Sequence, residues 1–178
     1  AVSSAGDVNG DGYADVIVGA RLYDNGQNDE GRAYVYHGSP EGLAPIPAWS
    51  AESDQYYAQL GYSVSEAGDV NGDGYGDIIV GAPYYTNGQY EEGHAWVYLG
   101  STAGLSASPA WIGESDQSYA HYGWAVASAG DVNGDWYSDI AVGSPDYDRW
   151  CGDDGAVFVY HGSSAGLPTA ASWTNQIN

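Results

Sequence analysis

Residues 7–15 read DVNGDGYAD, and the same nine-residue design returns as DVNGDGYGD at 69–77 and as DVNGDWYSD at 131–139. Each copy places carboxylate or carboxamide oxygens at positions 1, 3, 5 and 9. Short oxygen-bearing side chains crowded onto alternate positions repel one another unless a cation sits among them. Calcium takes six to eight oxygens from such flexible sets, and a glycine at position 6 permits the sharp turn. The first loop offers the side chains of Asp7, Asn9 and Asp11, the Tyr13 carbonyl, and Asp15. The second offers Asp69, Asn71, Asp73, Tyr75 and Asp77, and the third Asp131, Asn133, Asp135, Tyr137 and Asp139. Asn-Gly and Asp-Gly are hairpin signals by themselves, but a turn does not require Asp at positions 1, 5 and 9 three times over. The expectation is three calcium sites, one per copy.

The loop is not an EF-hand, because that motif needs Glu at position 12 and Val18, Val80 and Val142 stand there. Magnesium demands stricter octahedral geometry, and no His or Cys lies within a loop to favour zinc. The third copy departs from the others: Trp136 occupies the position-6 glycine. If that residue needs a positive φ, a bulky side chain there is strained by roughly 1–2 kcal/mol.

The three loops start 62 residues apart, at Asp7, Asp69 and Asp131. Self-similarity at a fixed period signals a repeat architecture. In the second unit, four short strands are predicted at 62–67, 77–82, 93–99 and 110–113. The run DIIVGA suits a strand buried on both faces, and HAWVYL is rich in aromatic and β-branched residues. Gly, Asn and Pro clusters separate them, and no stretch has sustained helical periodicity. Four antiparallel strands per repeat is the pattern of a β-propeller blade. The predicted fold class is therefore all-β, with three four-stranded antiparallel blades at about 1–60, 61–122 and 123–178 in a single region. Propellers have four to eight blades. This points to part of a longer propeller, or to one completed by oligomerisation, with a dimer giving six blades. A non-propeller packing of three sheets is the competing arrangement.

The combined stretch AGDVNGDGYGDIIVGAP, with Gly81-Ala82-Pro83 at its end, resembles the FG-GAP repeat of the integrin α-subunit propeller. Gly61-Tyr62 and Gly123-Trp124 stand near the family's Phe-Gly position without that dipeptide, and the first and third units carry Gly19-Ala20-Arg21 and Gly143-Ser144-Pro145. The resemblance covers the whole chain. It implies a β-propeller with calcium in the loops on one face, partner binding on the other, and no catalytic residues.

Composition sets limits on the partners. Three basic residues stand against 24 acids, a net charge of −21. That argues against nucleic acid and anionic membrane surfaces, whose binding is driven by cationic groups. No apolar run is long enough for membrane insertion as a helix. The single cysteine, Cys151 beside Trp150, excludes an internal disulfide framework. The chain begins with Ala and contains no Met, which reads as a mature or excised segment. His37 and His161 are repeat-equivalent, which favours packing over catalysis.

The connections at 23–31, 84–93 and 147–155 vary more than the strands, and variable loops on a repeated scaffold carry recognition. Tyr84, Tyr85, Tyr90, Tyr147 and Trp150 are candidates for a partner surface or for covering the sheet rims. Trp49, Trp111 and Trp173 recur on the fourth strand, as inter-blade packing or a repeated sugar site. The functional expectation is a non-catalytic, calcium-stabilised, extracellular (secreted or cell-surface) adhesion module with a protein or glycan ligand. Its rivals are a propeller lectin and the propeller portion of a larger secreted enzyme.

Overall fold

The computed structural model describes residues 1–148 and 154–176. Twelve strands follow one another: β1 (Val2–Gly6), β2 (Asp15–Ala20), β3 (Arg32–Tyr36), β4 (Trp49–Glu52), β5 (Ser63–Gly68), β6 (Asp77–Ala82), β7 (His94–Tyr98), β8 (Trp111–Glu114), β9 (Ala125–Gly130), β10 (Asp139–Ser144), β11 (Ala156–Tyr160) and β12 (Trp173–Gln176). They form three antiparallel sheets in simple up-and-down order, β1–β4, β5–β8 and β9–β12. No helix occurs among the described residues. Cys151 and Trp150 lie outside them.

An up-and-down sheet sends its first-to-second and third-to-fourth turns to one end and its second-to-third turn to the other. The acidic loops are the β1–β2, β5–β6 and β9–β10 turns, so all three share one end of the array. A register irregularity in β1 at Ser4/Gly6 and in β5 at Glu66/Gly68 swings the chain into the loop. A third lies opposite β9, between Asp139 and Ile140. Bulges of this kind bend a strand where it must be re-aimed.

The sheets stack face to face, and the cores lie between them. Ile17, Val35, Val64, Val80, Trp96 and Tyr98 belong to the core between the first two blades. Ile79, Val97, Trp111, Tyr122, Ile140 and Tyr160 belong to the core between the second and third. The middle blade is therefore covered on both faces. All six residues of β6 and all five of β7 are buried, as the unbroken apolar run DIIVGA requires.

Two repeat columns show how each blade leans on the next. Val8 and Val70 are 0% and 1% exposed, whereas the equivalent Val132 is 57% exposed. Trp49 packs edge-on against Tyr98 and donates its indole N–H to the Ser106 carbonyl at 3.0 Å. Trp111 does the same with Tyr160 and donates to the Pro168 carbonyl at 2.8 Å. Trp173, the third member, is 51% exposed. The inter-blade packing read for this tryptophan thus holds at two of its three positions. The third blade presents the same forward face with nothing stacked on it.

Candidate metal centre

Each acidic loop is folded by its own side chains. Asp7 Oδ1 accepts the amide N–H groups of Gly10 at 2.7 Å and Asp11 at 3.1 Å, and its Oδ2 accepts that of Gly12 at 2.8 Å. Asn9 Oδ1 also accepts from the Asp11 amide, and Asp11 Oδ1 accepts from Tyr13 at 2.9 Å. The second loop repeats this: Gly72, Asp73 and Gly74 donate to Asp69, Asp73 to Asn71, and Tyr75 to Asp73. In the third, Gly134, Asp135 and Trp136 donate to Asp131, Asp135 to Asn133, and Tyr137 to Asp135. Such side-chain-to-backbone bonds are the usual habit of Asp and Asn in turns.

The ninth position behaves differently. Asp15, Asp77 and Asp139 are buried at the start of their strands. Asp15 Oδ2 accepts the Val8 amide and its Oδ1 the Gly38 amide, both at 2.9 Å. Asp77 clamps Val70 and Gly100 at the same lengths, and Asp139 clamps Val132 and Gly162. This carboxylate therefore ties the acidic loop to the neighbouring β3–β4 turn of its own blade, or its counterpart in the other blades. The three carboxylates of a loop do not converge within 4.8 Å of one another.

The donor set nevertheless suits a hard cation. Every candidate ligand atom is an oxygen, and three carboxylates share nine residues. Burial pushes Asp77 up to about 7 despite its two backbone donors, and the charges of Asp73 and Asp69 push the same way. A cation among Asp69, Asn71 and Asp73 would replace that repulsion with attraction. Position 6 also matches the expectation from sequence: φ is +90° at Gly12 and Gly74, and Trp136 adopts +75° with its side chain 93% exposed.

The loops are joined across blades. The Asp7 carbonyl accepts the Gly76 amide at 2.9 Å, and the Val8 carbonyl accepts that of Ser101 at 3.1 Å. Asp69 and Val70 repeat both bonds with Ser138 and Ser163. The Tyr75 ring lies over Gly10 and the Tyr137 ring over Gly72, so closely that a Cβ on either glycine would sit 2.6 or 2.5 Å from a ring carbon. The position-7 tyrosines thus use their rings on the preceding loop. His37 stands 3.4 Å from the Asn9 amide, in the turn that follows β3.

At the opposite end, the tyrosines read from sequence divide between rim cover and exposure. Tyr85 stacks on His94 at 4.3 Å and meets Trp96 edge-on. Tyr84 joins Tyr62, His121 and Trp124, and Tyr147 packs on Phe158. Tyr90 pairs with Tyr119 at 5.2 Å, and both are exposed. Gln55 bridges to the next blade by accepting from the Thr86 amide and donating to the Thr86 carbonyl.

Glu92, His94 and Glu114 were not singled out by the sequence. Their ligand atoms lie within 4.8 Å of one another, the one such set of three among the described residues. Burial holds the His94 imidazole below its ordinary value and pushes the Glu92 carboxyl up.

Fold and loops together define an array of β-propeller blades with an acidic oxygen-donor loop at the same end of each. The FG-GAP repeat family matches residues 1–36, 60–98 and 122–160, and the chain belongs to that family. It is similar to integrin alpha-PS2 of Drosophila melanogaster, 37% identical over 159 residues that cover 80% of this chain and 11% of the relative. Integrin alpha-6 of Gallus gallus is 37% identical over 78% of this chain and 12% of its own length. Phosphatidylinositol-glycan-specific phospholipase D of Rattus norvegicus is 35% identical over 81% of this chain and 18% of its own. The chain thus spans less than a fifth of each of these relatives.

Proposed function

We propose that this chain is a calcium-stabilised, non-catalytic adhesion-type binding module that works outside the cell. The observation that supports it most is the bonding of each acidic loop to the next blade through the Asp7 and Val8 carbonyls, repeated at Asp69 and Val70. Calcium would be held by Asp7, Asn9, Asp11, the Tyr13 carbonyl and Asp15, and by the equivalent sets in the other blades. It would supply positive charge and fix the loop backbone. The residues of the chain then do the rest: the loop carbonyls hold the next blade in register, and the position-7 tyrosines seal the seam.

The ligand face would be the opposite end, where Tyr57, Tyr90 and Tyr119 are exposed. Exposed tyrosines carry interface energy at low entropic cost, and a protein or glycan would meet them there. The integrin relatives favour the adhesion reading, while the phospholipase D relative keeps the propeller portion of a secreted enzyme as the second. We also propose that a further blade covers the Val132 and Trp173 face, supplied by a second copy so that two chains close a six-bladed ring.

Thermal unfolding with and without a chelator tests the metal reading. A lowered melting temperature that calcium restores supports it, and an unchanged one overturns it. Solution mass by light scattering tests the ring, which a strict monomer at all concentrations would exclude.

A further inference from the structure

The second blade carries a cluster that its neighbours do not. Glu92 is fully buried beside β7, His94 opens β7, and Glu114 closes β8. His94 Nε2 lies 2.6 Å from Glu114 Oε2, and Asn87 Nδ2 donates to the same oxygen at 2.9 Å. Glu92 Oε1 accepts the Asn87 amide at 2.7 Å. Its other oxygen, Oε2, is buried with no hydrogen-bond partner, as is His94 Nδ1. A buried carboxylate oxygen without a donor is costly unless something cationic meets it.

The repeat itself provides the comparison. The equivalent residues of the first blade are Glu30, Arg32 and Glu52. There the guanidinium supplies a fixed positive charge: Arg32 Nη1 is 3.7 Å from Glu52 and donates to the Tyr23 hydroxyl, and Nη2 donates to the Ser50 hydroxyl. In the third blade the positions are Asp154, Ala156 and Gln176, and the set is dissolved. The first and second blades both keep the two glutamates and bury the first of them completely, each with one unpartnered oxygen, but only the second replaces the permanent cation by an imidazole. Ser50 has become Ile112 and Tyr34 has become Trp96, so the other polar partners have gone too.

We infer that Glu92, His94 and Glu114 form a binding site for a divalent transition metal of the zinc class, distinct from the acidic loops at the other end of the blade. One imidazole nitrogen and two carboxylate oxygens are a donor set that suits borderline ions rather than calcium. Three protein ligands leave a fourth tetrahedral position for water or for a group on a partner. A cleft of about 350 Å³ lined by His94, Asn87, Tyr85 and Glu52 gives access from solvent. The ion would replace the charge that Arg32 provides in the first blade and would meet the orphaned Glu92 oxygen. Asn87, bonded to both glutamates, is the positioning residue.

The test is zinc titration by calorimetry on calcium-saturated protein with Cys151 alkylated, followed by cobalt substitution read by visible absorption. One equivalent bound, with a four-coordinate cobalt spectrum and perturbed His94 imidazole resonances, supports the site. His94→Arg copies the first blade and should keep the fold by circular dichroism while weakening zinc by more than about 100-fold, beyond the range that changes outside the ligand shell produce. Glu114→Gln should weaken it in the same direction. No zinc bound by the unaltered protein, zinc bound without His94 perturbation, or equal affinity in His94→Arg would each overturn the proposal.

Discussion

The amide of Gly76 donates to the carbonyl of Asp7 at 2.9 Å, across the seam between the first and second blades. Asp7 is at once the first candidate metal ligand of its loop and a backbone partner of the next. Anything that orders the loop therefore orders the seam.

Calcium removal should loosen all three loops and the two seams between them. Binding only the folded state at 100 times the dissociation constant adds about 2.7 kcal/mol per site. For a chain of this size that is about 5–10 °C per saturated site. Differential scanning calorimetry across a calcium series should show this rise, and Asp11→Ala or Asp73→Ala should remove one site's share each.

Trp136 should be improved by glycine. Its backbone is left-handed at φ +75°, and its side chain is 93% exposed, so little packing is lost. Relief of about 1–2 kcal/mol is partly offset by the greater freedom of an unfolded glycine. Trp136→Gly should gain about 0.5–1 kcal/mol in urea unfolding and strengthen calcium binding at the third loop. A loss of stability would show that the indole has a role of its own.

The fourth-strand tryptophans should divide sharply. Trp111→Ala removes a buried side chain and the donor to Pro168, and should cost about 3–5 kcal/mol. Trp173→Ala should cost under about 0.5 kcal/mol in the isolated chain. If two copies close a ring, the same substitution should instead lower the mass measured by analytical ultracentrifugation.

Glu30 gives a pH signature. Burial raises its carboxyl above the ordinary value of 4.5, reinforced by Glu52, Asp54 and Asp24. The native state then holds the proton more tightly than the unfolded chain, so this group's contribution is present at acid pH and is lost as pH rises above 4.5. Glu30→Gln keeps the shape and should flatten that fall. Urea midpoints at pH 4 and pH 7 for both proteins would reveal it, and identical pH profiles would contradict it.

The loops and the blade count were legible because a turn that must hold oxygens constrains residue identity position by position, three times over. The strands followed, since DIIVGA leaves few alternatives. The double duty of Asp15 was not legible: a carboxylate at the ninth position looks like a ligand, and only the fold reveals Gly38 on its other side. Glu92 and Glu114 were two acids among 24, and His94 lies on a strand that reads as ordinary. Their meeting depends on the β7–β8 pairing of His94 with Glu114. Comparing the repeat columns 30/92 and 32/94 would have exposed the change from arginine to histidine.

Several side-chain bonds between blades join residues far apart in sequence. Trp49 and Trp111 each reach 57 residues ahead, Ser63 reaches 60, and Ser138 reaches back 69. Contacts inside a blade close much shorter loops. Folding should therefore run on two clocks, with hairpins forming early and blades docking later, one neighbour at a time. Because the units are so alike, a blade emerging from synthesis meets docking faces built for its siblings as well as its own. The Arg32, His94 and Ala156 column is one place where the siblings differ, and such differences give each blade an address.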